Sequence, residues 1–251
     1  MKQWLESLVS LAYPRRCLSC LGALDGSAGP LCAACSRQWT ALTAAPFCRR
    51  CGRSVAGPNL DGELPTRCVR CDEVRLVRCG VVRVGTYEDA LQACIRRFKY
   101  SRDLGAGRLL AGILAEKAAV WLAERRVDAV VPMPMHWRRF ARRGLNPADW
   151  LARRIAREAG LPLRRWLKRR VHRASQTQIP ASHRRRNVRG VFSVPTRHVA
   201  ALHGGHICLV DDVLTSGATA EEAARTLRAA GAASVCLAVV AVADRVEIED
   251  V

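Results

Sequence analysis

The sequence predicts an α/β protein: a mostly parallel sheet with helices on both faces, preceded by a small metal-bound module. Three observations predict it. Short apolar runs without polar alternation recur between helical stretches, as in strands covered on both sides. Four Cys-x2-Cys pairs crowd between residues 17 and 71. Ile207-Cys208-Leu209-Val210-Asp211-Asp212-Val213-Leu214-Thr215-Ser216-Gly217-Ala218-Thr219 joins an apolar strand to a hydroxyl- and glycine-rich loop.

In chain order, residues 1–13 read as a short amphipathic helix, with Trp4, Leu5, Leu8 and Val9 on one side. Residues 14–75 form the metal module. Its pairs are Cys17/Cys20, Cys32/Cys35, Cys48/Cys51 and Cys68/Cys71. Each two-residue gap lets both thiolates reach one ion, the spacing of tetrahedral zinc sites. Two structural zinc ions are expected. Nearest-neighbour pairing gives Cys17/Cys20/Cys32/Cys35 and Cys48/Cys51/Cys68/Cys71, and a crossed pairing stays open. Gly22 and Gly52 follow pairs, where their N–H groups can turn toward sulfur. Large apolar residues are few here, so metal must supply what a core cannot. Zinc removal is therefore expected to unfold residues 14–75 and spare the sheet. Ala56 to Thr66, rich in Gly, Pro and Asp, reads as a loop. Cys79, Cys94, Cys208 and Cys236 lie in apolar contexts and read as core.

The second domain spans residues 77–251. A strand is expected over 80–87, then a helix from Tyr87 to Tyr100. That helix has Leu91, Cys94, Ile95 and Phe98 on one face and Lys99 at its end. A longer helix covers 105–126 and a strand covers 128–133. An Arg-rich turn follows. Asn146 as cap and Pro147 in the first helical position start a helix that runs to about Gly160. A short strand near 191–194 precedes the motif strand. A helix from Ala220 to Ala230 and a strand over 234–243 complete the order.

The 251 residues hold one α/β core and a small extra module. With 49% apolar residues, disorder is not the default. No apolar run reaches the length of a membrane span, and no signal-like segment opens the chain. A cytoplasmic protein is expected. The formal net charge is +19. Between His136 and Arg197 stand 18 Lys and Arg against two acids, Asp149 and Glu158. Such a stretch attracts polyanions. A solvated basic surface fits it equally, because only four of the 41 basic residues are Lys and Arg dominates the whole chain. Its few aromatics, Trp137, Phe140, Trp150, Trp166 and Phe192, argue against a base-stacking platform.

The chemistry concentrates in the motif. Ligands of open α/β sheets bind beyond the carboxyl ends of strands. A loop of small residues turns successive N–H groups onto a phosphate, and the following helix adds its dipole. Two adjacent carboxylates can hold the two hydroxyls of a ribose, or a magnesium ion carried by its phosphates. A ribose bearing a phosphate fits this segment.

The pattern resembles the signature of type I phosphoribosyltransferases, which bind phosphoribosyl pyrophosphate (PRPP) with Mg²⁺. The resemblance gives Asp211 and Asp212 the ribose hydroxyls. It gives Thr215, Ser216, Gly217, Ala218 and Thr219 the 5′-phosphate. Val131-Pro132-Met133-Pro134 corresponds to the family's pyrophosphate loop. Pro132 and Met133, with Lys99 and Arg143 nearby, fall on the pyrophosphate side.

The wider order is similar to the ComF family: CxxC pairs, Phe98-Lys99-Tyr100, Val-Pro-x-Pro, Arg143-Gly144-Leu145-Asn146, Gln176, Arg184 with Asn187, Val191-Phe192, and the final motif. Leu145 and Pro147 depart from the Phe and Gln frequent in that family. The resemblance implies a link to DNA taken up in natural transformation. It leaves the acceptor and the oligomeric state open, and no dedicated catalytic base is evident. The alternative it carries is a non-catalytic PRPP pocket on a scaffold that binds single-stranded DNA or a DNA-uptake helicase partner.

Overall fold

The computed structural model describes residues 15–24, 29–55, 57, 68, 71, 80–170 and 189–244. The helix expected over 1–13, Cys79, Gln176, Arg184, Asn187 and most of the 56–66 loop lie outside them.

Four strands form one parallel sheet: β1 (Val81–Thr86), β2 (Ala129–Pro132), β5 (His206–Leu214) and β6 (Ser234–Val242), in the order β1-β6-β5-β2. All four strands of this sheet run in the same direction, as the unalternating apolar runs imply. A single bridge from Val130 to Leu163 lengthens the β2 edge. A small antiparallel ribbon, β3 (Lys168–Arg169) with β4 (Phe192–Ser193), lies apart from it.

Alternate residues of each strand serve different cores. Val82, Val84, Val130, Cys208, Val210, Cys236 and Ala238 face α2 (Asp89–Tyr100), α3 (Leu104–Glu124) and α5 (Pro147–Glu158). Val81, Ala129, Val131, Ile207, Leu209, Leu237 and Val239 face α7 (Ala218–Ala229) and the short α6 (Val199–Leu202). Both faces are covered, which makes this the doubly covered α/β architecture expected. Cys94, Cys208 and Cys236 are buried core residues. Among the described residues no helix is long and apolar enough to cross a membrane.

Three elements differ from expectation. Residues 33–44, unassigned in the sequence, form α1 (Ala33–Ala44), which buries Cys35, Trp39 and Leu42. The Arg-rich turn is a helix, α4 (Trp137–Arg143), capped by His136 and ended by Gly144 in the left-handed conformation. The strand of the motif does not stop at Val210. It continues through both aspartates to Leu214, because β6 pairs with it up to Val242. The helix after it starts at Ala218, two residues before expectation.

The cysteine-rich segment packs directly on the sheet domain. Cys17, Cys35, Trp39 and Leu42 belong to the same apolar cluster as Val84, Leu91 and Leu110. Gly85 lacks a side chain because Leu42 presses on it: a Cβ there would lie 2.8 Å from the Leu42 carbonyl oxygen. The Val81 N–H donates to the Arg49 carbonyl at 2.8 Å. Arg83, 1% exposed in mid-strand, reaches out of the sheet to Ser54 Oγ at 2.9 Å, lies over the Phe47 ring and approaches Asp244.

Candidate functional site

The thiols gather into two groups. Cys17, Cys20, Cys32 and Cys35 form one, and Cys48, Cys51, Cys68 and Cys71 the other, with all four sulfurs of each set within 4.8 Å of one another. The nearest-neighbour pairing is therefore the one adopted. Four sulfurs on a tetrahedron around zinc stand about 3.8 Å apart, given Zn–S bonds near 2.3 Å. Cys20–Cys32 measures 3.8 Å, Cys48–Cys71 3.5 Å, Cys51–Cys68 3.6 Å and Cys68–Cys71 3.8 Å.

Backbone donors already point at the first group: Ser19 and Cys32 N–H at Cys17 Sγ, Gly22 N–H at Cys20 Sγ. Gly52 behaves otherwise, its N–H going to the Cys48 carbonyl. Burial opposes ionisation of Cys17, yet the backbone N–H groups of Cys20, Cys32 and Ser19 bring it down to about 6. Burial and its crowded neighbours push Cys35 up to about 12. One thiolate forms easily in such a group and a fourth does not, unless a divalent cation sits among them.

The acid pair lies where β5 outruns its neighbour. Pro132 is the last β2 residue paired to β5, opposite Val210, so Asp211 and Asp212 emerge from that edge. The Lys99 ammonium, at the end of α2, lies 2.9 Å from Asp212 Oδ1. Lys99 is only 5% exposed. Asp211 Oδ1 accepts the Asp212 N–H at 2.9 Å. Burial, and then the charge of Asp212, push Asp211 up to about 7, against the pull of that N–H, Lys99 and Arg169. The two carboxylates thus differ in role: one is neutralised by an ammonium, the other keeps a proton to near neutral pH.

The loop Thr215–Gly217 connects this edge to α7. Its start is tied down by the Ala243 N–H donating to the Leu214 carbonyl. Gly217, at φ 77°, makes the left-handed turn into the helix, and α7 has no side-chain N-cap. Its first N–H groups are free of capping side chains, as an anion site requires. Ala218 and Thr219 are first-turn residues of the helix rather than loop.

Lys99 reaches the acid pair directly, whereas Arg143 is placed against Tyr100. The Arg143 guanidinium lies 4.8 Å from the centroid of Tyr100, next in chain to Lys99, and its buried Nε has no hydrogen-bond partner among the described residues. Met133 is less available than the sequence suggests. Its N–H donates to Val210, its carbonyl accepts from Asn146 Nδ2, and its side chain is buried. It holds the turn after Pro132 and has no spare donor. Arg169 escaped the sequence reading. Burial lowers its guanidinium, Arg139 adds to that and Asp211 opposes it, so Arg169 bears on the acid pair. Among the described residues Arg169 Nε is buried without a hydrogen-bond partner. The β3–β4 ribbon that carries it is anchored on α7 by Glu222, which accepts from the Gly190 N–H at 2.6 Å.

Comparison with known proteins agrees with this architecture. The double zinc ribbon domain family matches residues 8–69, and the phosphoribosyl transferase domain family matches residues 140–250. Competence protein F of Haemophilus influenzae is 30% identical over 227 residues, covering 86% of this chain and 92% of that protein. The chain belongs to the competence protein F family.

Other members of the family extend the match. DNA utilization protein YhgH of Escherichia coli K12 is 30% identical over 90% of this chain and 96% of its own length. Competence protein ComFC of Streptococcus pneumoniae is 26% identical over 71% and 76%. Among solved structures, glutamine PRPP amidotransferase from B. subtilis is 20% identical over 58% of this chain and 30% of its own, with a TM-score of 0.39. In this member of the family the two tetra-cysteine groups fit two structural zinc ions. The phosphoribosyl transferase match contains the acid pair and loop, while Lys99 comes from chain outside it.

Proposed function

We propose that the carboxyl edge of the sheet binds PRPP with Mg²⁺ and supports pentosyl transfer in DNA utilisation. The observation that carries this reading is the Lys99–Asp212 pair, 2.9 Å apart beside Asp211 and next to an uncapped helix start. Asp211 and Asp212 hold the ribose 2′- and 3′-hydroxyls. The loop Thr215–Gly217, with Ala218 and Thr219 of the first turn, takes the 5′-phosphate. Pro132 shapes the wall of the pyrophosphate side, Met133 braces it, and Lys99 and Arg143 supply charge there. Magnesium bound with the ligand would supply charge that neutralises pyrophosphate, beside Lys99 and Arg143. As that group leaves, C1′ gains oxocarbenium character, and fixed charge and geometry carry the rate. The DNA link rests on the relatives' names, competence protein F and DNA utilization protein.

Isothermal titration of PRPP with Mg²⁺ tests the site. Wild type should bind, and Asp211→Asn with Asp212→Asn should not. Equal affinity in that variant refutes the assignment.

One observation favours the second reading, a single-stranded DNA surface. Trp137 is 67% and Phe140 50% exposed on α4, among Arg138, Arg139 and Arg142. Exposed rings beside guanidinium groups suit unstacked bases. Replacing both by Ala should weaken oligonucleotide binding, and affinity should fall steeply with salt. A flat salt response excludes this surface.

A further inference from the structure

The first thiolate group and the acid pair share a helix. We infer that Arg97 is a positioning residue that ties the Cys17 knuckle to Lys99, so that the knuckle sets the geometry of the acid pair as well as stabilising the fold. This rests on the proposed ligand site and extends it to the metal module.

The knuckle grips α2 at both ends. Buried Ser19, between Cys17 and Cys20, donates its hydroxyl to the Ala90 carbonyl at 2.7 Å, in the first turn. In the last turn the Arg97 Nη1 donates to the Cys17 carbonyl at 3.0 Å. Arg97 also ion-pairs with Asp103 through Nη2. Asp103 in turn caps α3, its Oδ1 accepting the Ala106 N–H at 2.9 Å. One guanidinium therefore joins the knuckle, the end of α2 and the start of α3.

Lys99 lies two residues beyond Arg97, in the turn thus clamped. Its ammonium has to reach Asp212 while 5% exposed, so small shifts of this turn change the ion pair directly. The Cys17 carbonyl belongs to a residue whose sulfur receives two backbone N–H groups. Its position follows the sulfur, which an ion bound to the group would hold. Helix packing through Leu91, Ile95 and Phe98 positions α2 against the sheet. In the last turn the buried Phe98 ring and the polar grip act together. Such braces typically change coupling by about 0.5–2 kcal/mol.

The test uses Arg97→Met, which keeps the apolar stem, and Ser19→Ala as the milder variant. Two readouts are taken on the full chain. The first is Mg²⁺-PRPP affinity by titration. The second needs no ligand: the ammonium resonance of Lys99 in ¹⁵N-lysine-labelled protein, one of only four lysines. With zinc content and circular dichroism unchanged, both variants should broaden or lose that resonance, and affinity should fall between about twofold and thirtyfold. Arg97→Lys should restore part of both. If Arg97→Met does not fold, Ser19→Ala carries the decision alone. A Lys99 resonance unchanged in the folded variants overturns the inference, whether or not PRPP binds. Loss of the resonance in a protein whose wild type does not bind PRPP upholds the brace and rejects the ligand.

Discussion

Lys99 donates to Asp212 at 2.9 Å while the adjacent Asp211 accepts the backbone N–H of Asp212, so two neighbouring carboxylates are stabilised by different means. Removing the ammonium leaves both acids to each other. Lys99→Met should destabilise the apo protein by about 3 kcal/mol at pH 8, the scale of breaking a buried pair. The loss should shrink at pH 5, where protons take over part of the neutralisation. Urea unfolding at the two pH values checks this, and a pH-independent loss would point to packing alone.

Asp211 makes the opposite contribution. In the fold it holds its proton up to about 7, against an ordinary value of 3.8. Between those values the folded chain binds more protons than the unfolded one, so stability falls as pH rises and levels off above 7. Asp211→Asn keeps an oxygen for the Asp212 N–H and removes the charge. It should match wild type near pH 4 and exceed it by about 1–3 kcal/mol at pH 8. Thermal melts across that range read the difference directly.

Zinc removal should not spare the sheet domain. Cys17, Cys35, Trp39 and Leu42 lie in one apolar cluster with the sheet and with α2 and α3. A strong chelator should lower the melting temperature of the whole chain in one calorimetric transition. Two separated transitions would restore the picture of an independent module.

Gly107 allows α3 to pack on α2. A Cβ there would stand 2.5 Å from Phe98 Cε2, one residue before Lys99. Gly107→Ala should cost about 1–3 kcal/mol, the scale of core overpacking. Because Phe98 adjoins Lys99, ligand affinity should drop with it. Parallel denaturation and titration of the variant measure both effects.

Strand and helix order was legible because buried parallel strands read as unbroken apolar runs. The acid pair and loop were legible from their place after such a run. What escaped has physical causes. α4 is too short to show a helical period, and its Trp137 and Phe140 bury no face. Asp211 and Asp212 read as a strand end because carboxylates disfavour strands. Pairing with β6 overrides that preference. Arg83 carries a charge in mid-strand, yet it is buried against Phe47 and bonded to Ser54, contacts that no local pattern announces. The grip of the knuckle on α2 joins residues far apart in chain, and no local pattern announces it.

The sheet order β1-β6-β5-β2 has a consequence for how the protein comes into being. β1 is the first strand of this sheet in chain order, but its partner is β6, so Val81 waits for Leu237. Until then the apolar edge of β1, and the thiol-bearing loops that dock on it, have no permanent seat on the ribosome-bound chain. The eight grouped thiols all precede the strands of that sheet in the chain, so they are made before the surface they pack on is complete.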